Sequence, residues 1–346
     1  MKKLRIAQLV GLTERVPPLK YGGVELVVSN LTEELIKRGH KVTLFASGDS
    51  KTKAKLISVY PHSLRKDPSL KLAYSLLLIE ELLKREKEFD IIHNHGGWLL
   101  FPFIKYFKKA KVITTLHGRL NTKQSQLVLG YFRKLNYISI SRSQRKYLPN
   151  LNYVANVYNG IDIDAFEFDD RPKDYLIFLG RISLEKGIEK AIKIAKLAKK
   201  KLKIAAKIDP VDREYWEKRV KPQIDRKQVV YIGEIGHTRK VRLLKNAQAL
   251  INPISWPEPF GLVMIEAMVC GTPVIAPKRA SVSEIVVNKK TGFIVDSKNL
   301  IRDSVKAVLK IDQIDRNECR KHVEKNFTVK SMVDGYEKAY YKILKS

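Results

Sequence analysis

Short apolar runs alternate with longer stretches of helical spacing along the whole chain, and that alternation leaves few folds open to it. A strand followed by a helix does not turn straight back on itself. The helix carries the chain back across the sheet, and the next strand lies parallel to the first. In the first half the strand candidates are Arg5–Leu9, Val42–Phe45, Ile91–His93, Val112–Leu116, Tyr137–Ile140 and Tyr153–Val157, with helical spacing over Glu25–Arg38 and Ser69–Glu88. The second half repeats the rhythm, with strands at Leu176–Leu179, Leu202–Ala206, Val229–Ile232, Ala249–Asn252, Val274–Ala276 and Phe293–Val295. Helices are expected there over Ile188–Lys199, Arg239–Asn246, Leu262–Cys270 and Leu300–Leu309. The pattern predicts an α/β protein of two doubly wound parallel sheets in series.

Between the halves, Asn159-Gly160 is a strong turn signal, an acidic run extends to Asp170, and Pro172 resists continued regular structure. One domain is expected over residues 1–160 and a second over 161–328, a division that also suits a chain of 346 residues. The last helical segment, Val329–Leu344, carries Tyr336, Tyr340 and Tyr341. That is more aromatic surface than a free tail carries, so residues 329–346 are expected to pack back on the first domain.

Lysine and arginine outnumber the acids 66 to 36, a formal net charge of +30 that attracts polyanions: nucleic acid, anionic lipid or phosphorylated ligands. Residues 101–150 hold eleven Lys and Arg and no Asp or Glu. Tyr106, Phe107, Tyr131 and Phe132 lie in this stretch at spacings that suit packing, and no nucleic-acid motif accompanies them. An anionic membrane surface is therefore preferred to a nucleic acid as partner, with plain solvated helix faces as the alternative. The two cysteines, Cys270 and Cys319, cannot build a disulfide framework or a zinc site. The N-terminus lacks the apolar core of a signal peptide, and no run of about 18 uncharged apolar residues occurs. These features predict a cytoplasmic protein that can dock peripherally at the inner membrane face.

The most specific chemical signal is Glu258 and Glu266, with seven residues between them and Pro259-Phe260-Gly261 after the first. A helix starting near Gly261 would expose the backbone N–H groups of Gly261 and Leu262 as an anion site. Carboxylates cannot bind phosphate, so the two glutamates need hydroxyls, and a sugar and a ribose would supply them. Taken alone, the pair could equally be an acid favouring a helix N-terminus and an ordinary surface Glu. Gly180-Arg181 ends an apolar strand, with Lys186 at the start of the next helix. Two cations at that strand end suit a diphosphate, the Arg as a fork and the Lys as a point charge. Gly22-Gly23 opens a strand-to-helix loop without matching a phosphate-binding fingerprint. His117 ends another strand; His93-Asn94-His95 ends the one before it, with no third ligand for a metal and with His95 a candidate for the acceptor side.

The stretch from Pro257 to Met268, followed by Cys270-Gly271-Thr272-Pro273-Val274-Ile275-Ala276, resembles family 4 of the retaining GT-B glycosyltransferases. The resemblance continues at Tyr21-Gly22-Gly23-Val24-Glu25, at Gly180–Gly187 and at Ser281–Gly292, in the family's order and over nearly the whole chain. It implies the GT-B fold, two Rossmann-like domains facing across a cleft. It also implies transfer of a hexosyl group from a nucleoside-diphosphate sugar, with UDP favoured, to a hydroxyl acceptor that is lipid-linked or a cell-surface glycan precursor. Neither metal nor cofactor is implied. By resemblance Glu258 bonds the donor sugar and Glu266 the ribose, while Phe260, Gly261 and Leu262 meet sugar and phosphate. Arg181 and Lys186 hold the diphosphate beside Gly180, Gly22 and Gly23; Gly233 ends the strand nearest the base; His117 stands at the reaction centre. A sugar-nucleotide epimerase or another GT-B-fold enzyme is the nearest alternative, and a basic nucleic-acid-binding protein a weaker one. The chain departs from the family at Arg279-Ala280-Ser281, where Arg-Gly-Ser is usual, so altered backbone geometry is expected there.

Overall fold

A computed structural model describes residues 2–345, which divide into two compact units, 2–160 with 329–345 and 161–328. The first holds seven strands: β1 (Arg5–Leu9), β2 (Lys41–Phe45), β3 (Lys55–Ile57), β4 (Ile91–Asn94), β5 (Lys111–Leu116), β6 (Tyr137–Ser139) and β7 (Tyr153–Asn156). They pair in parallel in the order β3-β2-β1-β4-β5-β6-β7. The second unit holds β8 (Leu176–Arg181), β9 (Leu202–Lys207), β10 (Val229–Gly233), β11 (Ala249–Ile251), β12 (Val274–Pro277) and β13 (Gly292–Val295), parallel in the order β10-β9-β8-β11-β12-β13. Helices cover the sheets, so central strands are apolar on both faces: Ile6, Leu44, Ile92, Leu176, Ile177 and Val274 are fully buried.

The strand order reverses between β1 and β4 in the first sheet and between β8 and β11 in the second. In open α/β sheets the loops at the carboxyl ends of such neighbours diverge to opposite faces and leave a crevice, which is where ligands bind. Both positions are occupied by residues singled out from the sequence.

Several elements have no counterpart among the expected strands and helices, the helix Lys123–Tyr131 and the turns over Arg213–Tyr215 and Trp216–Val220 among them. Strand β3 is a three-residue edge strand without a fully buried residue, too short to show a period. Residues Trp98–Tyr106 form 3-10 turns around Pro102. The helix Arg316–Asn326 buries only Arg316, Cys319 and Val323, and its charged sequence hides the apolar stripe.

The C-terminal helix Val329–Lys345 packs on the helix Gly23–Lys37 and on β5 and β7. Tyr336 and Tyr340 are fully buried by it. Its outer edge is tied by charge: the Arg38 guanidinium meets Glu34 at 3.0 Å, Asp334 at 2.6 Å and Glu337, and His40 lies 2.7 Å from Glu337. Among the described residues no helix is long and apolar enough to cross a membrane.

Candidate functional site

At the carboxyl end of β8 the backbone reaches Gly180 with open space where a side chain would be, and Arg181 follows. The Arg181 guanidinium bonds Glu185 at 2.7 Å and lies 3.6 Å from Asp209 and 3.8 Å from Asp212, both just past β9; Lys207 pairs with Asp209 at 2.8 Å. Burial raises the Asp212 carboxyl above the ordinary range; Arg181 opposes the shift, while Asp209 and Glu185 add to it.

From Arg181 the chain turns through Leu184–Lys186 into Gly187, whose φ is +75°. A Cβ at Gly187 would stand 2.3 Å from the Pro253 carbonyl oxygen, so only glycine permits this approach to the loop after β11. The Ser255 amide donates to the Glu185 carbonyl at 2.9 Å and laces the two loops together. This brings Lys186 to Glu258 as an ion pair, with the ammonium 5.0 Å from the centre of the Trp256 ring.

The loop after β11 ends at Gly261, which caps the helix Leu262–Val269 with φ +90°. Phe260 is buried and meets Phe327 edge-on at 5.9 Å. The Ser281 hydroxyl lies 2.9 Å from the Glu258 carbonyl oxygen and 2.7 Å from that of Phe260, fixing the loop from below. Its neighbour Ala280 has φ +46°, in the left-handed region a glycine would enter freely. Alanine thus holds a left-handed backbone here at the cost of local strain. Along the helix Glu266 is only 6% exposed and pairs with Lys240 of the helix His237–Lys245. Burial pushes the Cys270 thiol beyond that helix up to about 12, with Glu266 adding to the shift.

The structure therefore gathers Gly180, Arg181, Lys186, Glu258, Phe260, Gly261 and Leu262 along two laced loops at the switch point of the second sheet, with Glu266 on the helix that follows. Gly233 stands apart at the end of the edge strand β10, with open space beside it. Each of the two glutamates is matched to a lysine. Glu185 is a candidate partner of Arg181 from the sequence, whereas Lys240, Asp209 and Asp212 were not found from it. Asp209 carried a usable signal, because it comes just after the end of β9, whereas Asp212 closes the 3-10 turn that follows. Lys240 carried none.

Gly22, Gly23 and His117 lie in the first unit. Gly22 caps the helix Gly23–Lys37. His117 follows β5 and is the half-buried end of a hydrogen-bonded cluster: His117 Nε2 is 2.8 Å from His95 Nδ1, and His95 Nε2 is 2.8 Å from Gln8 Oε1. Gln8 Nε2 lies 3.4 Å from the Tyr340 hydroxyl, which lies 2.7 Å from His93 Nδ1; His93 Nε2 is 2.7 Å from the Thr115 hydroxyl, itself 3.4 Å from Tyr336. Burial holds all three imidazoles neutral, pushing His117 down to about 4 and His93 and His95 well below the ordinary histidine range. With both ring nitrogens taken by protein partners, His95 has none to offer an acceptor. Among the described residues no three His, Cys, Asp or Glu side chains gather as a metal site.

The family model described as Glycosyl transferases group 1 matches residues 162–326, and the one described as Glycosyltransferase Family 4 matches residues 21–165. An uncharacterized glycosyltransferase of Methanocaldococcus jannaschii is 26% identical over 83% of this chain and 85% of its own length. The N-acetyl-alpha-D-glucosaminyl L-malate synthase of Bacillus anthracis is 24% identical over 94% of this chain and 95% of its own. Among solved structures, AviGT4, a glycosyltransferase involved in avilamycin A biosynthesis, superposes with a TM-score of 0.75 at 22% identity, covering 99% of this chain and 98% of that one. Anabaena HepE, solved with UDP and glucose, gives 0.75 at 18% identity over 98% and 100%. Two parallel sheets in series, a shared fold and family matches running together from residue 21 to residue 326 lead to one conclusion: the chain belongs to the GT-B glycosyltransferases of family 4.

Proposed function

We propose that the chain transfers a hexosyl group from a nucleoside-diphosphate sugar, with UDP favoured, to a hydroxyl acceptor with the anomeric configuration retained. The observation that carries this reading is the pairing of Lys186 with Glu258 beside Arg181 and the helix start at Gly261. The site holds its own charges in balance. A diphosphate entering it competes for Lys186 and Arg181, and Glu258 is then released to accept hydrogen bonds from sugar hydroxyls. Glu266, buried against Lys240, offers its remaining oxygen to the ribose, and open backbone at Gly180 and Gly233 leaves room for donor atoms.

The leaving group is a dianionic diphosphate, so stabilising its charge is the main catalytic task. Lys186, Arg181 and the amides of Gly261 and Leu262 do this as preorganised electrostatics, in the place a divalent metal would take. The acceptor oxygen attacks the anomeric carbon on the face the diphosphate leaves, and a departing phosphate oxygen takes its proton. His117 meets a substrate hydroxyl, and Gly22 and Gly23 bring backbone close to the donor. HepE was solved with UDP and glucose, which supports UDP as the nucleotide.

For the acceptor we favour a lipid-linked sugar or glycan precursor reached at an anionic membrane. Leu72, Leu76 and Leu77 on the helix Lys71–Lys84, Tyr106, and Leu127 and Tyr131 on the helix Lys123–Tyr131 are all exposed. They share neighbouring elements with Lys105, Lys108, Lys109, Lys123, Arg133 and Lys134. Apolar side chains among cations bind anionic bilayers better than either feature alone. A panel of nucleotide sugars, with and without acceptor and EDTA, tests the reading. Conversion of a nucleotide sugar to its epimer without transfer would favour an epimerase, and EDTA-sensitive turnover would overturn the metal-free account.

A further inference from the structure

The hydrogen bonds around His117 form one unbranched chain within the first unit, from His117 through His95, Gln8, Tyr340, His93 and Thr115 to Tyr336. Every link is buried except the His117 end. A neutral imidazole carries one N–H and one lone pair, and an amide one donor side and one acceptor side, so these groups pass the sense of a bond along the chain. The Thr115 and Tyr340 hydroxyls take theirs from the donation of Thr115 to Tyr336. The key link is Gln8, with its carbonyl Oε1 toward His95 and its amide Nε2 toward Tyr340.

From that orientation the protons follow. Gln8 Oε1 can only accept, so His95 Nε2 carries the hydrogen and His95 Nδ1 is a lone pair. His117 Nε2 must then donate to it across 2.8 Å. In the other direction, Gln8 Nε2 donates to Tyr340, whose own hydrogen goes to His93 Nδ1. His93 Nε2–H donates to Thr115, and Thr115 donates to Tyr336. His117 Nδ1 is left as a lone pair with no partner among the described residues.

We propose that Gln8 and Tyr340 are positioning residues that act through His95 to lock His117 in the Nε2–H tautomer, so that His117 Nδ1 accepts a hydrogen bond from a substrate hydroxyl. The hydroxyl's belonging to the nucleotide-sugar reaction rests on the function proposed above; the tautomer does not. Gln8 lies on β1, His93 and His95 on and just after β4, Thr115 and His117 on and just after β5, and Tyr336 and Tyr340 on the C-terminal helix. Four separate elements thus cooperate to set one lone pair. A hydroxyl-accepting nitrogen selects a ligand with an O–H at that point and rejects one with only an ether or carbonyl oxygen there.

The test is the tautomer of each histidine in the intact protein, read by long-range proton–nitrogen correlation on chain labelled at histidine. His93, His95 and His117 should each show a protonated Nε2 and a bare Nδ1 at neutral pH. A protonated Nδ1 on His117 in the wild-type chain would overturn the assignment, whether or not any nucleotide sugar is turned over. Gln8→Met, close in shape but without an acceptor, should leave His117 as a mixture of tautomers and lower kcat/KM about tenfold or more. Tyr340→Phe should give the same mixture by freeing the Gln8 amide to flip. If both variants fold and keep a single Nε2–H tautomer at His117, Gln8 and Tyr340 merely fill space and the proposal fails.

Discussion

Lys186 is the residue on which the electrostatic account leans hardest, because its ammonium bridges a glutamate and the place assigned to the departing diphosphate. Lys186→Ala is expected to reduce turnover on the order of 10²–10³-fold with little change in stability, measured by steady-state kinetics alongside thermal unfolding. Loss of stability with turnover intact would instead make it a structural ion pair. At Ala280 the expectation concerns strain. An alanine in the left-handed region costs about 1–2 kcal/mol, and glycine there gives back part of that in chain entropy. Ala280→Gly should therefore stabilise the second unit by up to about 1 kcal/mol in denaturant unfolding. The sequence raised this position as a departure from the family pattern, but a backbone dihedral was needed to show what the departure does.

Among the elements, the C-terminal helix links packing to protonation, since Tyr336 and Tyr340 close over the histidine cluster. His93, His95 and His117 are held neutral in the folded chain and recover an ordinary value near 6.5 when unfolded. Below that pH the unfolded state binds more protons than the folded one, so stability falls as pH drops from about 6.5 towards 4. Each histidine contributes a slope of up to about 1.4 kcal/mol per pH unit in that window. The midpoint of urea unfolding should fall between neutral pH and about pH 5, and Tyr340→Phe should lower it at both. The exposed leucines and tyrosines of the helices Lys71–Lys84 and Lys123–Tyr131 make a separate expectation. Co-sedimentation with anionic vesicles should weaken with salt and with Leu127→Glu, whereas equal binding to neutral vesicles would count against it.

Across the whole molecule, the sheets were legible because their strands are buried on both faces and read as plain apolar runs; each expected strand lies within one or two residues of an observed one. Strand β3 and the helix Arg316–Asn326 were hidden for the opposite reason, an exposed edge and a polar sequence. The two glutamates stood out because a local motif surrounds them. Their lysine partners come from 72 and 26 residues away, and pairing over such distances leaves no mark in sequence. Gln8 is the instructive miss: a polar residue inside an apolar strand, which the strand pattern absorbed without comment. The proposed chemistry depends on a nucleotide sugar. Its most direct measurement is nucleoside-diphosphate release, followed by phosphorus NMR, from a panel of UDP-, GDP- and ADP-sugars in the presence of EDTA. At least one donor should be cleaved by the wild-type chain and at least about 100-fold more slowly by Lys186→Ala. No release from any donor, or equal release by the variant, would contradict it.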